Sequence, residues 1–75
     1  MKEAMKKIIA SDLGSEFWTR LDEMVQDIEE AGYPVEEYND EYIVIRESDE
    51  RDADPYILYL GTANSTKWIY NIRAL

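Results

Sequence analysis

The chain contains 75 residues with a formal net charge of −9, and it has neither cysteine nor histidine. Without these residue types there is no disulfide, no thiol nucleophile, no imidazole base and none of the usual zinc sites. The length predicts a single small domain over residues 1–75, and an apolar content of 45% argues against intrinsic disorder.

The first segment, residues 2–10, predicts a short helix. Its apolar side chains share one helical face: Met1, Met5, Ile8 and Ile9. The apolar run ends short of the roughly 7–15 residues of a secretory signal core, and no stretch of the chain reaches the ~18 apolar residues of a membrane span. We therefore expect a cytoplasmic protein that does not interact with membranes.

Residues 16–31 predict the main helix, which is amphipathic. Its apolar residues recur at helical spacing within an arc of roughly 140°: Phe17, Trp18, Leu21, Met24, Val25, Ile28 and Ala31. Ser15 is a suitable N-cap, and Gly32 is a suitable C-terminal stop. Glu29 and Glu30 lie at the negative end of the helix dipole, where a carboxylate is mildly unfavourable. This placement hints that the charge has a use.

Four segments predict β-strands, at residues 33–38, 42–47, 56–60 and 67–73. A polar turn and a charged loop separate the first three of them, and residues 61–66 predict a hairpin loop. In the last strand Trp68, Tyr70 and Ile72 alternate with polar residues, and Ile69 is the exception. Helices followed by strands favour an α+β fold, in which the main helix packs on a three- or four-stranded antiparallel meander.

The predicted sheet has two apolar faces. The third strand offers Tyr56 and Leu58 on one side and Ile57 and Tyr59 on the other. A chain of this size cannot bury both faces well. The face that the main helix leaves uncovered is expected to hold tyrosines, which are common at interfaces because one end of the side chain is apolar and the other is polar. Either the short N-terminal helix, another copy or another protein covers this face, or a few tyrosines are simply exposed there. We take Tyr42 and Tyr59 as candidate interface residues.

The negative charge is concentrated in the middle of the chain. Residues 21–55 hold two basic and fourteen acidic side chains, a net charge of −12, whereas residues 1–20 carry +1 and residues 56–75 carry +2. Such a field favours a partner with a basic surface and repels nucleic acid and anionic lipid; solubility alone is the plainer interpretation. The candidate interface carboxylates lie on the main helix and in the charged loop: Asp22, Glu23, Asp27, Glu29, Glu30, Asp49, Glu50, Asp52 and Asp54.

The loop at residues 49–54 also suggests a weak divalent-cation site. Asp52 and Asp54 have the Asp-x-Asp spacing of calcium ligands, but the loop lacks the glycine and the distal glutamate of an EF-hand. A solvated connection between two strands is the favoured interpretation, so no metal ligand is assigned. The sequence contains no glycine-rich phosphate loop and no carboxylate pair in apolar surroundings, and we expect neither an enzyme nor a bound cofactor.

The sequence therefore predicts a non-enzymatic protein that acts through protein–protein contact and does not bind nucleic acid directly. In its size, acidity and lack of catalytic motifs it resembles phage-encoded inhibitors and DNA-mimic proteins, which present carboxylates to a basic groove in place of phosphates. No motif of the chain identifies a family. The alternative is a structural homodimer that uses the open sheet face or a sheet edge. The acidic-surface hypothesis depends on whether the helix and the loop face the same way.

Overall fold

A ten-residue helix precedes a four-stranded sheet in the computed structural model, which describes residues 13–14, 16–46, 48 and 52–75. Helix α1 spans Leu21–Glu30, and the strands are β1 (Val35–Tyr38), β2 (Tyr42–Arg46), β3 (Pro55–Ala63) and β4 (Thr66–Ala74). Consecutive strands are antiparallel neighbours in the order β1-β2-β3-β4. The predicted α+β fold with an antiparallel meander is confirmed, whereas the predicted short helix at residues 2–10 lies outside the described residues.

The hydrophobic core lies between α1 and one face of the sheet. Met24 and Ile28 of α1 are fully buried, as the helical periodicity predicted. The sheet contributes apolar side chains from β2, β3 and β4: Ile43, Ile45, Tyr56, Leu58, Leu60, Ile69 and Ile72. Because burial of each such side chain contributes roughly 1.5–3 kcal/mol, this layer is the main source of stability in the part of the chain that the structure describes.

Helix α1 begins at Leu21, later than the predicted start at Glu16. The segment before it is extended, because the Trp18 N–H donates to the Lys67 carbonyl at 2.9 Å and the Lys67 N–H donates back at 2.6 Å. The same arrangement buries the Trp18 side chain, whereas Phe17 is 67% exposed. Pairing with a distant strand therefore overrides the helical pattern that these two aromatic residues continue.

The N-terminal end of α1 has no side-chain cap. Arg20 occupies the cap position with an extended backbone and makes no capping hydrogen bond, and the predicted cap, Ser15, lies outside the described residues. Asp22 and Glu23 instead supply negative charge to the first turn, where it complements the helix dipole. Helix α1 has ten residues. No helix in the described part of the chain is long and apolar enough to cross a bilayer.

The C-terminal end of α1 is a Schellman motif, and Gly32 acts as the predicted stop. Gly32 has a φ of +101°, which residues with a side chain rarely adopt. Its N–H donates to the Glu29 carbonyl at 3.0 Å, and the Tyr33 N–H donates to the Ile28 carbonyl at 3.3 Å. These bonds satisfy two of the last helix carbonyls. Tyr33 and Ile28 are both buried, so the motif also directs the chain onto the sheet.

Strands β3 and β4 are longer than predicted, and the loop between them has only two residues. Asn64 and Ser65 have φ values of +52° and +66°, which are typical of a type I′ hairpin turn. The sequence predicted a longer hairpin loop, over residues 61–66. In the structure Gly61 lies within β3, opposite Trp68. The Trp68 ring lies so close that a Cβ atom at Gly61 would stand 2.5 Å from it.

Candidate functional site

The outer side of α1 is a surface of largely unneutralised carboxylates. Five of the ten helix residues are acidic and none is basic: Asp22, Glu23, Asp27, Glu29 and Glu30. All five are exposed, and we call them the acidic helix face. Among the described residues the only cation within ion-pair distance of this face is Arg20, whose Nη2 lies 3.3 Å from Asp22 Oδ2. The structure thus brings the five predicted helix carboxylates together on one accessible side.

Asp27 differs from the other helix carboxylates because a side chain of the same protein holds it. Trp18 Nε1 donates a hydrogen bond to Asp27 Oδ2 at 2.8 Å. A surface groove of ≈ 310 Å³ adjoins this bond, and its lining consists of Leu13, Glu16, Trp18, Asp27, Glu30 and Ala31. Glu16 therefore adds a carboxylate beside the acidic helix face. No local pattern predicts this position of Glu16, since the extended segment is placed by its pairing with β4.

Arg46 fastens the end of the charged loop to the sheet. Its Nη1 donates to the Ala53 carbonyl at 2.6 Å, and its Nε lies 3.0 Å from Glu36 Oε2. Ala53 is buried, Asp54 is partly buried and Asp52 is exposed. The loop is therefore not only a solvated connection: its last residues are anchored, and Asp52 is left at the surface.

The loop begins beside the C-terminal end of α1. One shallow surface depression of ≈ 380 Å³ is lined by Glu29, Gly32, Pro34 and Ser48. Asp52 and Asp54 are not part of that lining, and Asp49 and Glu50 lie outside the described residues, so a common acidic patch of helix and loop stays a prediction. No group of three or more His, Cys, Asp or Glu side chains within the described ranges is placed to hold a metal ion.

The sheet face turned away from α1 carries a cluster of tyrosines. Tyr42 and Tyr59 are cross-strand partners in β2 and β3. The ring centroid of Tyr59 lies 6.3 Å from that of Tyr70 in β4, with a tilt of 40° between the rings. Tyr42 and Tyr59 are partly buried, whereas Tyr70 is 64% exposed. We call these three residues the tyrosine face; the structure adds Tyr70 to the two predicted candidates.

The sequence did not predict Tyr70 as part of this face, because strict alternation along β4 groups it with Trp68 and Ile72. The register of β3 and β4 shifts once, so that β4 carries one extra residue and Tyr70 has no direct partner in β3. Ile69 and Ile72 are both buried in the core as a result, and Tyr70 turns outward. A β-bulge of this kind re-aims a side chain. The apolar exception at Ile69 was the signal in the sequence that could have revealed it.

Two surfaces are thus candidates for function, and they lie on opposite sides of the sheet. Helix α1 covers one sheet face and turns its carboxylates outward, and the tyrosine face projects from the other. Carboxylates suit cationic partners, and half-exposed tyrosines suit an apolar contact with a hydrogen-bonding rim. In comparisons with known proteins, no family model, no curated protein and no solved structure matches the chain.

Proposed function

We propose that this protein is a non-enzymatic cytoplasmic binding protein, which contacts a protein partner with a basic surface through the acidic helix face. The observation that carries the proposal is the composition of α1, with five exposed carboxylates and no basic residue. Only Arg20 offsets one of them among the described residues. Charge of one sign on one side of a domain accelerates the encounter with an oppositely charged partner and disfavours wrong partners.

The charge density of α1 favours a partner surface that binds nucleic acid. The five carboxylates lie between Asp22 and Glu30, a span of about 12 Å along the helix axis. This gives about one charge per 2.4 Å, against about one per 1.7 Å of axis for double-stranded DNA. A basic groove shaped for phosphates would therefore meet a comparable charge density on the acidic helix face.

The test uses two variants with the same change in net charge. Glu23→Gln/Glu30→Gln removes two charges from the acidic helix face, and Asp40→Asn/Glu41→Gln removes two exposed charges outside α1. Binding of a fluorescent oligoarginine peptide is measured by anisotropy at low ionic strength. We expect the helix variant to weaken binding about fivefold, roughly 1 kcal/mol, and the control variant to weaken it by less than about twofold.

Equal weakening by both variants would show that net charge, rather than the helix, attracts the cation, and the proposal would fail. Binding that persists unchanged at about 0.5 M salt, where screening is strong, would also contradict it. The nucleic-acid-like mode has its own criterion. A short DNA duplex must compete with this protein for the basic partner. If the partner still binds this protein at a saturating concentration of duplex, the nucleic-acid-like mode is excluded.

A further inference from the structure

One row of residues crosses all four strands on the sheet face turned away from α1. Glu37 of β1 is paired with Val44 of β2, Val44 with Ile57 of β3, and Ile57 with Arg73 of β4. The row therefore reads acidic, apolar, apolar, basic from one edge of the sheet to the other. Because side chains alternate between the faces of a strand, all four lie on the side of the tyrosine face, opposite the core.

The two charged residues of this row are too far apart to neutralise each other. Three inter-strand spacings separate them, about 14 Å. Tyr42 Oη donates a hydrogen bond to Glu37 Oε2 at 3.3 Å, which directs that carboxylate over the sheet face. Arg73 is exposed, and no carboxylate of the described residues lies within ion-pair distance of it. The row thus presents a negative charge at one end and a positive charge at the other, and the two do not neutralise each other within one copy.

Both edges of the sheet are poorly suited to adding a further strand. Strand β1 has four residues and an irregular register. On β4, Trp18 already pairs with Lys67, and the Ile72 N–H donates to Asn71 Oδ1 at 2.9 Å. Short, bulged or occupied edges are how sheets avoid edge-to-edge association. The sheet face, rather than an edge, is left as the surface for a partner.

We propose that a second copy of this chain covers this face, with the two sheets packed face to face about a twofold axis parallel to the strands. Such an axis reverses the strand order, so Glu37 of one copy lies over Arg73 of the other and Val44 lies over Ile57. The row is then complementary to itself in both charge and apolarity, as an isologous interface requires. A twofold axis across the strands would instead place β1 over β1 and set like charges together.

The size of the face predicts a weak dimer. Strand β2 has five residues, and four strands of that length cover about 300 Å². This is well below the ~800 Å² per partner of a standard stable interface. Val44 is already buried, and Ile57 and Tyr59 are partly buried within one copy, which lowers the further apolar gain. We expect a dissociation constant in the micromolar to millimolar range, sensitive to the charge pairs.

The test is sedimentation equilibrium from about 10 µM to about 1 mM, a range that covers this affinity. The mass of the unaltered protein should rise from 8.8 kDa toward twice that value. Arg73→Glu should weaken association at least about tenfold, because it creates two like-charge contacts. Glu37→Arg/Arg73→Glu should restore the original affinity to within about threefold. Arg20→Glu, a charge reversal at an exposed site outside the sheet, should change nothing.

Restoration by the double reversal identifies a contact between copies, since the distance between Glu37 and Arg73 excludes a direct pair within one copy. A mass of 8.8 kDa throughout the range, no effect of Arg73→Glu, or no recovery in the double variant each overturns the proposal. Circular dichroism verifies folding, and Glu37→Arg serves as the single variant if Arg73→Glu unfolds. The inference is independent of the proposed helix contact, because oligoarginine binding is measured on dilute protein.

Discussion

Trp18 and Asp27 are joined by a hydrogen bond of 2.8 Å from the indole Nε1 to the carboxylate Oδ2. The bond ties the extended segment before α1 to the middle of the helix. The backbone of Trp18 is at the same time paired with Lys67 of β4, and its side chain is part of the core. One residue therefore connects the helix, the core and a sheet edge, and Asp27 is both a surface charge and a structural acceptor.

We predict that Asp27→Ala lowers the free energy of unfolding by about 1–2 kcal/mol, because it leaves the indole N–H without its acceptor. Asp27→Asn should lose less, since the side-chain carbonyl can still accept the bond. Urea unfolding followed by tryptophan fluorescence measures both. Asp22→Ala is the matched control, because its partner Arg20 is exposed and a surface ion pair contributes less than about 1 kcal/mol. Equal losses for Asp27→Ala and Asp22→Ala would contradict the structural role.

Gly32→Ala should lower the free energy of unfolding by about 1 kcal/mol. A Cβ atom at this position would meet nothing within 4 Å, and φ is +101°, so the loss comes from backbone conformation and not from a clash. Gly32→Asn should lose less, because asparagine tolerates positive φ better than alanine. Thermal and urea unfolding of the two variants show which of them is the more stable. An alanine variant as stable as the unaltered chain would show that the Schellman geometry is not maintained in solution.

The parts of the fold that follow from local patterns could be predicted. The spacing of Met24 and Ile28 predicted the buried side of the helix, and alternation in β3 predicted which residues share a face of the sheet. These succeed because a packed layer demands one apolar face from each element. The start of α1 could not be predicted, since Trp18 continues the helical period and is held extended only by its pairing with Lys67, which lies far along the chain.

The candidate surfaces were predictable to a similar degree. A run of carboxylates opposite an apolar stripe must lie outward, so the exposure of Glu23 and Glu30 followed from the sequence. The role of Asp27 did not, because it depends on where Trp18 lies. The sequence analysis missed Tyr70 because of a single register shift in β4, and the apolar exception at Ile69 was its only sign in the sequence. Interactions that depend on long-range placement thus decide the details of both surfaces.

Ser65→Gly should stabilise the protein by about 0.5–1 kcal/mol. Ser65 is the second central residue of the β3–β4 turn and has a φ of +66°, where a side chain is unfavourable and glycine is not. The gain is the difference between relieved strain in the folded state and the greater freedom of glycine in the unfolded chain. Ser65→Ala is the control and should give no gain. The two variants are compared by melting temperature, and an equal rise in both would show that the turn does not require positive φ.

Gly61→Ala should lower the free energy of unfolding by about 1–3 kcal/mol, for a different reason from Gly32→Ala. A Cβ atom at Gly61 would stand 2.5 Å from Cε2 and 2.6 Å from Nε1 of Trp68, so the indole must move. That movement also disturbs the edge-to-face contact between the rings of Trp68 and Phe17, which have centroids 6.3 Å apart.

A double-mutant cycle with Trp68→Val separates this clash from a general effect of the substitution. The Trp68→Val background lacks the ring. The loss of stability caused by Gly61→Ala should be smaller there than in the unaltered background, by at least about 1 kcal/mol. Urea unfolding followed by circular dichroism reports on all four proteins in the same way. Thr62→Ala, at the exposed neighbouring position, should stay within about 0.5 kcal/mol. An equal loss from Gly61→Ala in both backgrounds would mean that the Trp68 ring does not lie over this glycine in solution.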